Sequence, residues 1–514
     1  MKILPIEKIR EADAYTIAHE PVSDIDLMER AAQELCDWIS AEVSPERKIL
    51  FFCGMGNNGG DGFALARLLC GLGFVPEVFV VRYSETMSPS CQTNYERAKQ
   101  ITKLRISELT DQDKIPEIER ETVIVDALFG SGLTRPVKGL AGRVIRQINA
   151  SGAAVIAVDV PSGFFCDQSN PGSEGEIVRA GYTLTFQFPK LGFLFPENDP
   201  YVGQWEVLDI GLHPGFIEKV EVENQYILSY DCYTILRSRK RFSHKGTFGH
   251  GLLIAGSYGK MGAAVLASEA ALRAGAGLIT AHIPHTGNMV LQTAIPEAML
   301  SFDENEKVFS RHPSLDIYHA IAIGPGIGTD PKTVQALKLL IQDAGIPLIF
   351  DADAINILSE NKTWLSFIRP NSIFTPHIKE FERLVGKSAN DFERNKKQRE
   401  FSVRYGVFVV LKGGHTAITT PDGTCWFNST GNPGMATGGS GDVLTGILLG
   451  LSAQGYSSRE TSILGVFIHG LAGDLAARKF GHEALIAGDI IRNLGKSFRK
   501  LWKMHRDGNY VFKG

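Results

Sequence analysis

The sequence predicts an α/β protein made of two doubly wound blocks in succession, each a mostly parallel sheet flanked by helices. Short β-branched apolar runs alternate with helical patterns along the chain. Glycines and carboxylates gather where those runs end. At 514 residues, the chain also exceeds what one hydrophobic core organises.

In the first block, apolar runs over 48–53, 76–81, 122–129 and 153–160 have the length of buried strands, and 62–72 reads as an intervening helix. Between about 211 and 242 a Pro-Gly turn and scattered charges replace this pattern, as expected of a junction. The second block opens with a strand over 251–255 and a helix over 263–274. Strands over 277–283, 320–323, 347–351, 372–375 and 407–412 follow, then a glycine loop and its helix, with 484–499 as the closing helix. The expected domains are 1–215 and 243–500, joined by a linker over 216–242 and followed by a tail over 501–514. No repeat or low-complexity segment interrupts them.

Net charge is −4, with 44% hydrophobic and 21% charged residues. This gives no electrostatic reason for a nucleic-acid or membrane partner, so small molecules are expected. The N-terminus meets charges every few positions, and no uncharged apolar stretch is long enough to span a bilayer. Seven dispersed cysteines without a CxxC pair predict reduced thiols and a cytoplasmic protein.

The most informative stretch is GNPGMATGGSGDVLTG, residues 431–446. Gly438, Gly439 and Gly441 let the backbone approach an anion, and the helix beginning there aims unpaired N–H groups at it. Asp442 at the rim could take a proton from a hydroxyl attacking a phosphate held by the same loop. The alternative is a glycine turn with Asp442 as a helix cap. Other strand ends carry GSYGKMGAA (256–264), GPGIG (324–328), DADAIN (351–356), TPHIKEFERL (375–384) and KGGHT (412–416). VGKS at 385–388 is no P-loop, because Phe381 stands where its first glycine belongs. Lys412 is a candidate phosphate partner or a solvated lysine; Glu380 and Asp351 could hold magnesium through water or cap helices.

In the first block GMGNNGGDG (54–62) satisfies GxGxxG, but Val80 and Val81 run into Arg82 where a dinucleotide fold needs an acid. An ordinary NAD dehydrogenase is therefore disfavoured. Asp61, Asp126 and Asp159 sit at neighbouring strand ends, so either a cation or a bound proton relieves their repulsion, or Asp126 and Asp159 only cap turns. Lys190 in FPKLG reads as a surface lysine or a weak catalytic candidate, and FFCDQSN (164–170) carries no interpretable motif.

Taken together, GSYGKMGAA, GPGIG, TPHIKEFERL, KGGHT and GNPGMATGGSGD resemble the ribokinase-like fold, and within it the branch of nucleotide-dependent NAD(P)H-hydrate dehydratases. This resemblance runs from about 245 to 494. It implies that Asp442 is the base and that the hydrate lies against Ala264, Gly326, His377, Ile378, Lys379, Glu380, Phe381, Glu382 and Arg383. It implies ADP, with magnesium, along Lys412, Gly413, Gly414, His415, Thr416, Asn432, Pro433, Gly434, Met435, Ala436, Thr437, Gly438, Gly439, Ser440 and Gly441.

Residues 1 to about 215, through SDIDLMERAA, GNNGGDGFALAR, VDALFGSGLTRP, VDVPSG and FPKLG, resemble the YjeF N-terminal family of NAD(P)H-hydrate epimerases, a Rossmann-like doubly wound fold. That resemblance implies potassium on Asn58, Asp126 and Ser162. It puts the hydrate on Asn57, Asn58, Gly59, Gly60, Asp61, Gly130, Ser131, Gly132, Leu133, Thr134, Arg135, Pro136 and Asp159, with Asp159 as acid/base. The expected protein is thus a two-site, homo-oligomeric repair enzyme for hydrated nicotinamide nucleotides. The alternatives are a small-molecule kinase with an accessory domain and a non-catalytic nucleotide-binding scaffold.

Overall fold

The computed structural model describes residues 1–170 and 175–506. The chain divides into two compact units, one of residues 2–222 and one of Met1 with the residues from 223 onward. The family-derived boundaries at 215 and 243 fall on either side of this division. The expected linker is ordered, carrying helices Pro214–Lys219 and Ser229–Ile235 and strand Asn224–Tyr226. The closing helix, Ala487–Arg506, runs past the expected end at 499, and the rest of the expected tail lies outside the described residues.

In the first unit the strands are ordered Arg105–Leu109, Glu77–Val81, Ile49–Cys53, Val123–Ala127, Ala154–Val158, Tyr182–Phe186, Gln204–Leu208, all parallel. Both faces are covered: Phe51 and Cys53 pack with helices Asp24–Glu42 and Asn57–Gly71, while Leu50 and Phe52 pack with helix Gly139–Ser151. From Ile49–Cys53 the chain steps outward twice, then returns to Val123–Ala127 on the other side. That reversal opens a crevice at the carboxyl ends of these two strands. GMGNNGGDG is not a free loop there. Asn57 to Gly62 form the first turns of helix Asn57–Gly71, and a Cβ on Gly54 would lie 1.9 Å from the Leu128 carbonyl oxygen. Here glycine serves close packing of chain on chain.

The second unit is doubly wound with an antiparallel extension. Parallel strands run Phe408–Leu411, Ile373–Phe374, Leu348–Phe350, Ala320–Ile323, His250–Ile254, Leu278–Ile283, Met299–Phe302. Strands Ala417–Thr419 and Cys425–Phe427 continue it antiparallel. Alternate strand residues feed two cores, one against helices Met261–Arg273, Ser440–Ala453 and Ser458–Phe480, the other against Pro331–Asp343, Ala352–Glu360 and Ile378–Val385. The strand order reverses between His250–Ile254 and Ala320–Ile323, and the second crevice opens there.

Candidate active sites

At the first crevice Asp159 follows strand Ala154–Val158 in the left-handed backbone region, at φ 64°, a conformation costly for most residues and tolerated by Asp. Its Oδ1 takes hydrogen bonds from Thr185 Oγ1 at 3.1 Å and the Phe186 amide at 3.3 Å, and Lys190 Nζ lies 2.9 Å away. Lys190 is 1% exposed and also donates to the Phe188 carbonyl, so it is a buried partner and not the expected surface lysine. Burial acts to raise the Asp159 pKa, but the Lys190 ammonium and the donors around Oδ1 outweigh it and hold the carboxyl below its ordinary value. Two further acids face Asp159. Burial first, then Asp159 and Asp13, drives Asp61 well above the ordinary range. Burial and Asp159 push Asp13 to about 7. A carboxyl held low by its lysine thus stands beside two acids that burial and its own charge push upward.

Beside them, Asp126 is fully buried, accepting from the Ser162 amide at 2.8 Å and Ser162 Oγ at 2.6 Å; burial pushes it to about 6 against those bonds. The Phe129 amide donates to Ser162 Oγ at 2.9 Å, and the next residue, Gly130, closes over Asn58, whose Cβ would be 3.2 Å from an added methyl. Asn58 Nδ2 donates to the Val158 carbonyl at 2.7 Å, leaving buried Oδ1 with no partner. Asn57, more exposed, accepts from Ser88 Oγ. Ser131 to Pro136 form the open rim, with Gly132 against the Arg10 guanidinium.

At the second crevice Asp442 lies in the first turn of helix Ser440–Ala453, whose start is set by Gly439 at φ 90°. No described residue donates to its carboxylate. Burial and the neighbouring Asp351 push it to about 6, against the pull of Lys412. Lys412 Nζ is 2.9 Å from Asp351 Oδ1 and would be 3.4 Å from a Cβ on Gly441, so its charge is delivered to the glycine loop. Asp351 is saturated: Thr375 Oγ1 donates to Oδ1 at 2.8 Å and Thr445 Oγ1 to Oδ2 at 2.7 Å. Glu380 closes a capping box, accepting the His377 amide at 2.8 Å while His377 Nδ1 accepts from Lys379. Both acids have structural work at the crevice.

The remaining expected residues divide. Gly326, His377, Lys379 and Arg383 border the crevice, Arg383 bonding Asn356. Ala264 and Phe381 have fully buried side chains, Ala264 in the helix core against the Gly256 loop and Phe381 against Phe401. Ile378 packs on that core too. Of the nucleotide loops, Gly413, Gly414, Pro433, Ala436 and Gly438 are exposed. Asn432 spends its side chain on the Gly434 amide and Asp474, and Met435 lies against Gly473. Sequence reasoning missed Asp474, Asp13 and the Lys190 ion pair. Only FPKLG hinted at the last.

Two doubly wound units, each with a carboxylate at the crevice its strand order opens and one with a glycine loop at a helix start, define a two-site α/β enzyme. Family models give the particular family. The one described as YjeF-related protein N-terminus matches residues 24–192, and the one described as NAD(P)H-hydrate dehydratase matches 251–496. A bifunctional NAD(P)H-hydrate repair enzyme of Moorella thermoacetica is 34% identical over 98% of this chain and 97% of its own; that of Escherichia coli is 31% identical over 91% and 88%. A solved ADP/ATP-dependent NAD(P)H-hydrate dehydratase from Bacillus subtilis, crystallised with ATP and magnesium, aligns at TM-score 0.48 and 30% identity, over 54% of this chain and 98% of that one. The chain belongs to the bifunctional NAD(P)H-hydrate repair enzymes.

Proposed function

We propose that residues 1–215 interconvert the R and S hydrates of NADH and NADPH, and that residues 243–500 return the S hydrate to the reduced cofactor at the expense of ADP. The observation that carries this is Asp442: a carboxylate without a donor among the described residues, pushed to about 6, beside a glycine loop and a half-buried lysine. Its carboxylate takes the proton of the ring hydroxyl as that oxygen attacks the terminal phosphorus, and the bond to the leaving nucleoside phosphate breaks. Phosphate then departs from the ring carbon, a neighbouring proton is lost, and the double bond re-forms. Lys412 and the loop amides of Gly438 to Gly441 meet the charge that develops on the transferring group. Magnesium would be held by the nucleotide's own phosphates and would offset their charge.

In the first unit the ring nitrogen expels the hydroxyl, which leaves as water with a proton from Asp61, flanked by Asp13. Water then adds to the opposite face and yields a proton to Asp159. The two carboxyls exchange states, so the reaction runs in either direction. Potassium fits Asn58, Asp126 and Ser162, since a buried, unpartnered amide oxygen beside a buried carboxylate suits a cation. It would anchor the loop over the hydrate and offset carboxylate repulsion. Seven free cysteines, six of them buried, accord with a reducing cytoplasm. Among the described residues, no helix is long and apolar enough to cross a membrane.

The test is to incubate the protein with the S hydrate of NADH and ADP while following nicotinamide absorbance. Recovery is expected. Accumulation of a stable phosphorylated alcohol would instead indicate a small-molecule kinase, and binding without turnover a scaffold.

A further inference from the structure

The reacting ring is a small part of a dinucleotide, and Asp442 and the loop around it occupy only its nicotinamide end. The other half must leave the crevice toward solvent. At the same switch point lies GSYGKMGAA, whose Tyr258 has no part in the chemistry above. Tyr258 is 70% exposed, yet its backbone is fixed: its amide donates to the Lys307 carbonyl at 2.8 Å. The preceding residue, Ser257, donates through Oγ to the Gly326 carbonyl at 2.7 Å, and the Gly256 amide to Pro325 at 2.7 Å. Lys307 Nζ stands 5.7 Å from the Tyr258 ring centre, and Lys260 Nζ 3.5 Å from Asp353. An aromatic ring, left open on a held loop, borders the segment expected to touch the hydrate; the Lys307 ammonium lies beside it, and exposed Lys260, two residues on, pairs with Asp353. Stacking on such a ring recognises any base by its π-face, and neighbouring lysines complement phosphate.

Resting on the dehydratase reading, we infer that Tyr258 is the stacking surface for the purine base of the hydrated dinucleotide and that Lys260 and Lys307 meet its pyrophosphate. Tyr258 is then a specificity residue that separates dinucleotide from mononucleotide hydrates.

Steady-state dehydration by the full chain at saturating ADP tests this, using the hydrates of NADH and of reduced nicotinamide mononucleotide, which lacks the adenylate half. Tyr258→Ala is expected to raise KM for the dinucleotide hydrate about 5-fold to 100-fold, with kcat within about twofold and KM for the mononucleotide hydrate unmoved. Tyr258→Trp should keep the wild-type KM. Lys307→Ala should raise the dinucleotide KM, with the effect shrinking at high salt. Equal changes for both hydrates, a fall in kcat, or an unchanged dinucleotide KM in Tyr258→Ala would overturn the assignment. Failure of the wild-type protein to turn over either hydrate would strike the dehydratase reading itself, and shows separately.

Discussion

Replacing Asp442 with Asn tests catalysis and stability in one protein. The carboxylate accepts no hydrogen bond from described residues, and Lys412 keeps its partner Asp351 at 2.9 Å, so an isosteric amide leaves the helix start and the ion pair in place. What disappears is the proton acceptor, which commonly costs about 100-fold to 10,000-fold in rate. The stability effect has the opposite sign. The carboxyl is raised from 3.8 to about 6 in the folded chain, chiefly by burial and then by Asp351, so ionising it disfavours the native state. That cost is absent below about 4, grows as pH rises through about 6, and is complete above it. The full shift corresponds to about 3 kcal/mol, and partial exposure discounts this to about 1–2 kcal/mol. Asp442→Asn should therefore melt about 2–5 °C higher than wild type at pH 7.5 and no higher at pH 4, while nucleotide still binds. Scanning calorimetry at the two pH values, with absorbance recovery and ADP titration, covers every part. Near-normal turnover, or a variant less stable at pH 7.5, refutes the reasoning.

Lys190→Met strands Asp159 in the first unit without its cation; breaking such a buried pair costs about 3–5 kcal/mol, and urea unfolding that shows less than about 1 kcal/mol would contradict the ion pair's importance. Asn58→Leu removes the unpartnered oxygen at the proposed potassium site. Epimerisation followed in potassium and then in lithium should depend on potassium in wild type and lose that dependence in the variant, and an equal response places the ion elsewhere. Gly54→Ala drives a methyl to 1.9 Å from the Leu128 carbonyl, so the two strand ends must separate. A loss of about 1–3 kcal/mol on unfolding is expected, and a neutral substitution would show that the contact relaxes freely.

The central strands were legible because runs such as Ile49–Cys53 are buried along their whole length and rich in apolar residues. Three others were not. Arg105–Leu109 is largely exposed and reads as polar, while Ala417–Thr419 and Cys425–Phe427 are too short to show a period. NNGGDG read as a loop because glycine disfavours helix, but its helical turns arise from packing on the strand ends, which no local preference encodes. Among site residues, Asp442 could be read because glycines and helix start are contiguous with it. Lys190 could not, since its burial depends on Asp159, 31 residues earlier. Ala264 and Phe381 show the limit of carrying a motif over whole: successive side chains of a helix point about 100° apart, so a contiguous helical segment does not turn every side chain to one crevice.

Each unit places one lysine against one buried aspartate at 2.9 Å, Lys190 buried and Lys412 half-buried, with opposite results for the chemistry. In the first, the paired aspartate is Asp159 itself; Lys190 and the donors at Oδ1 keep it ionised, and its charge helps hold Asp61 protonated. In the second, the pair uses Asp351, so Asp442 is left unpaired and is pushed up by that neighbour. The two activities should therefore part company in acid. Between pH 7 and pH 5 the base of the second site gains its proton, and dehydration measured as kcat/KM on the S hydrate should fall about tenfold. Over the same interval Asp159 stays ionised beside Lys190, although Asp13 (about 7) and Asp126 (about 6) also gain protons, so epimerisation, followed by chromatography of the two hydrates without ADP at saturating potassium, should fall less than dehydration does. Parallel acid limbs for both reactions would mean that the ion pair does not set the state of Asp159, and that a proton carrier common to both units governs the rates.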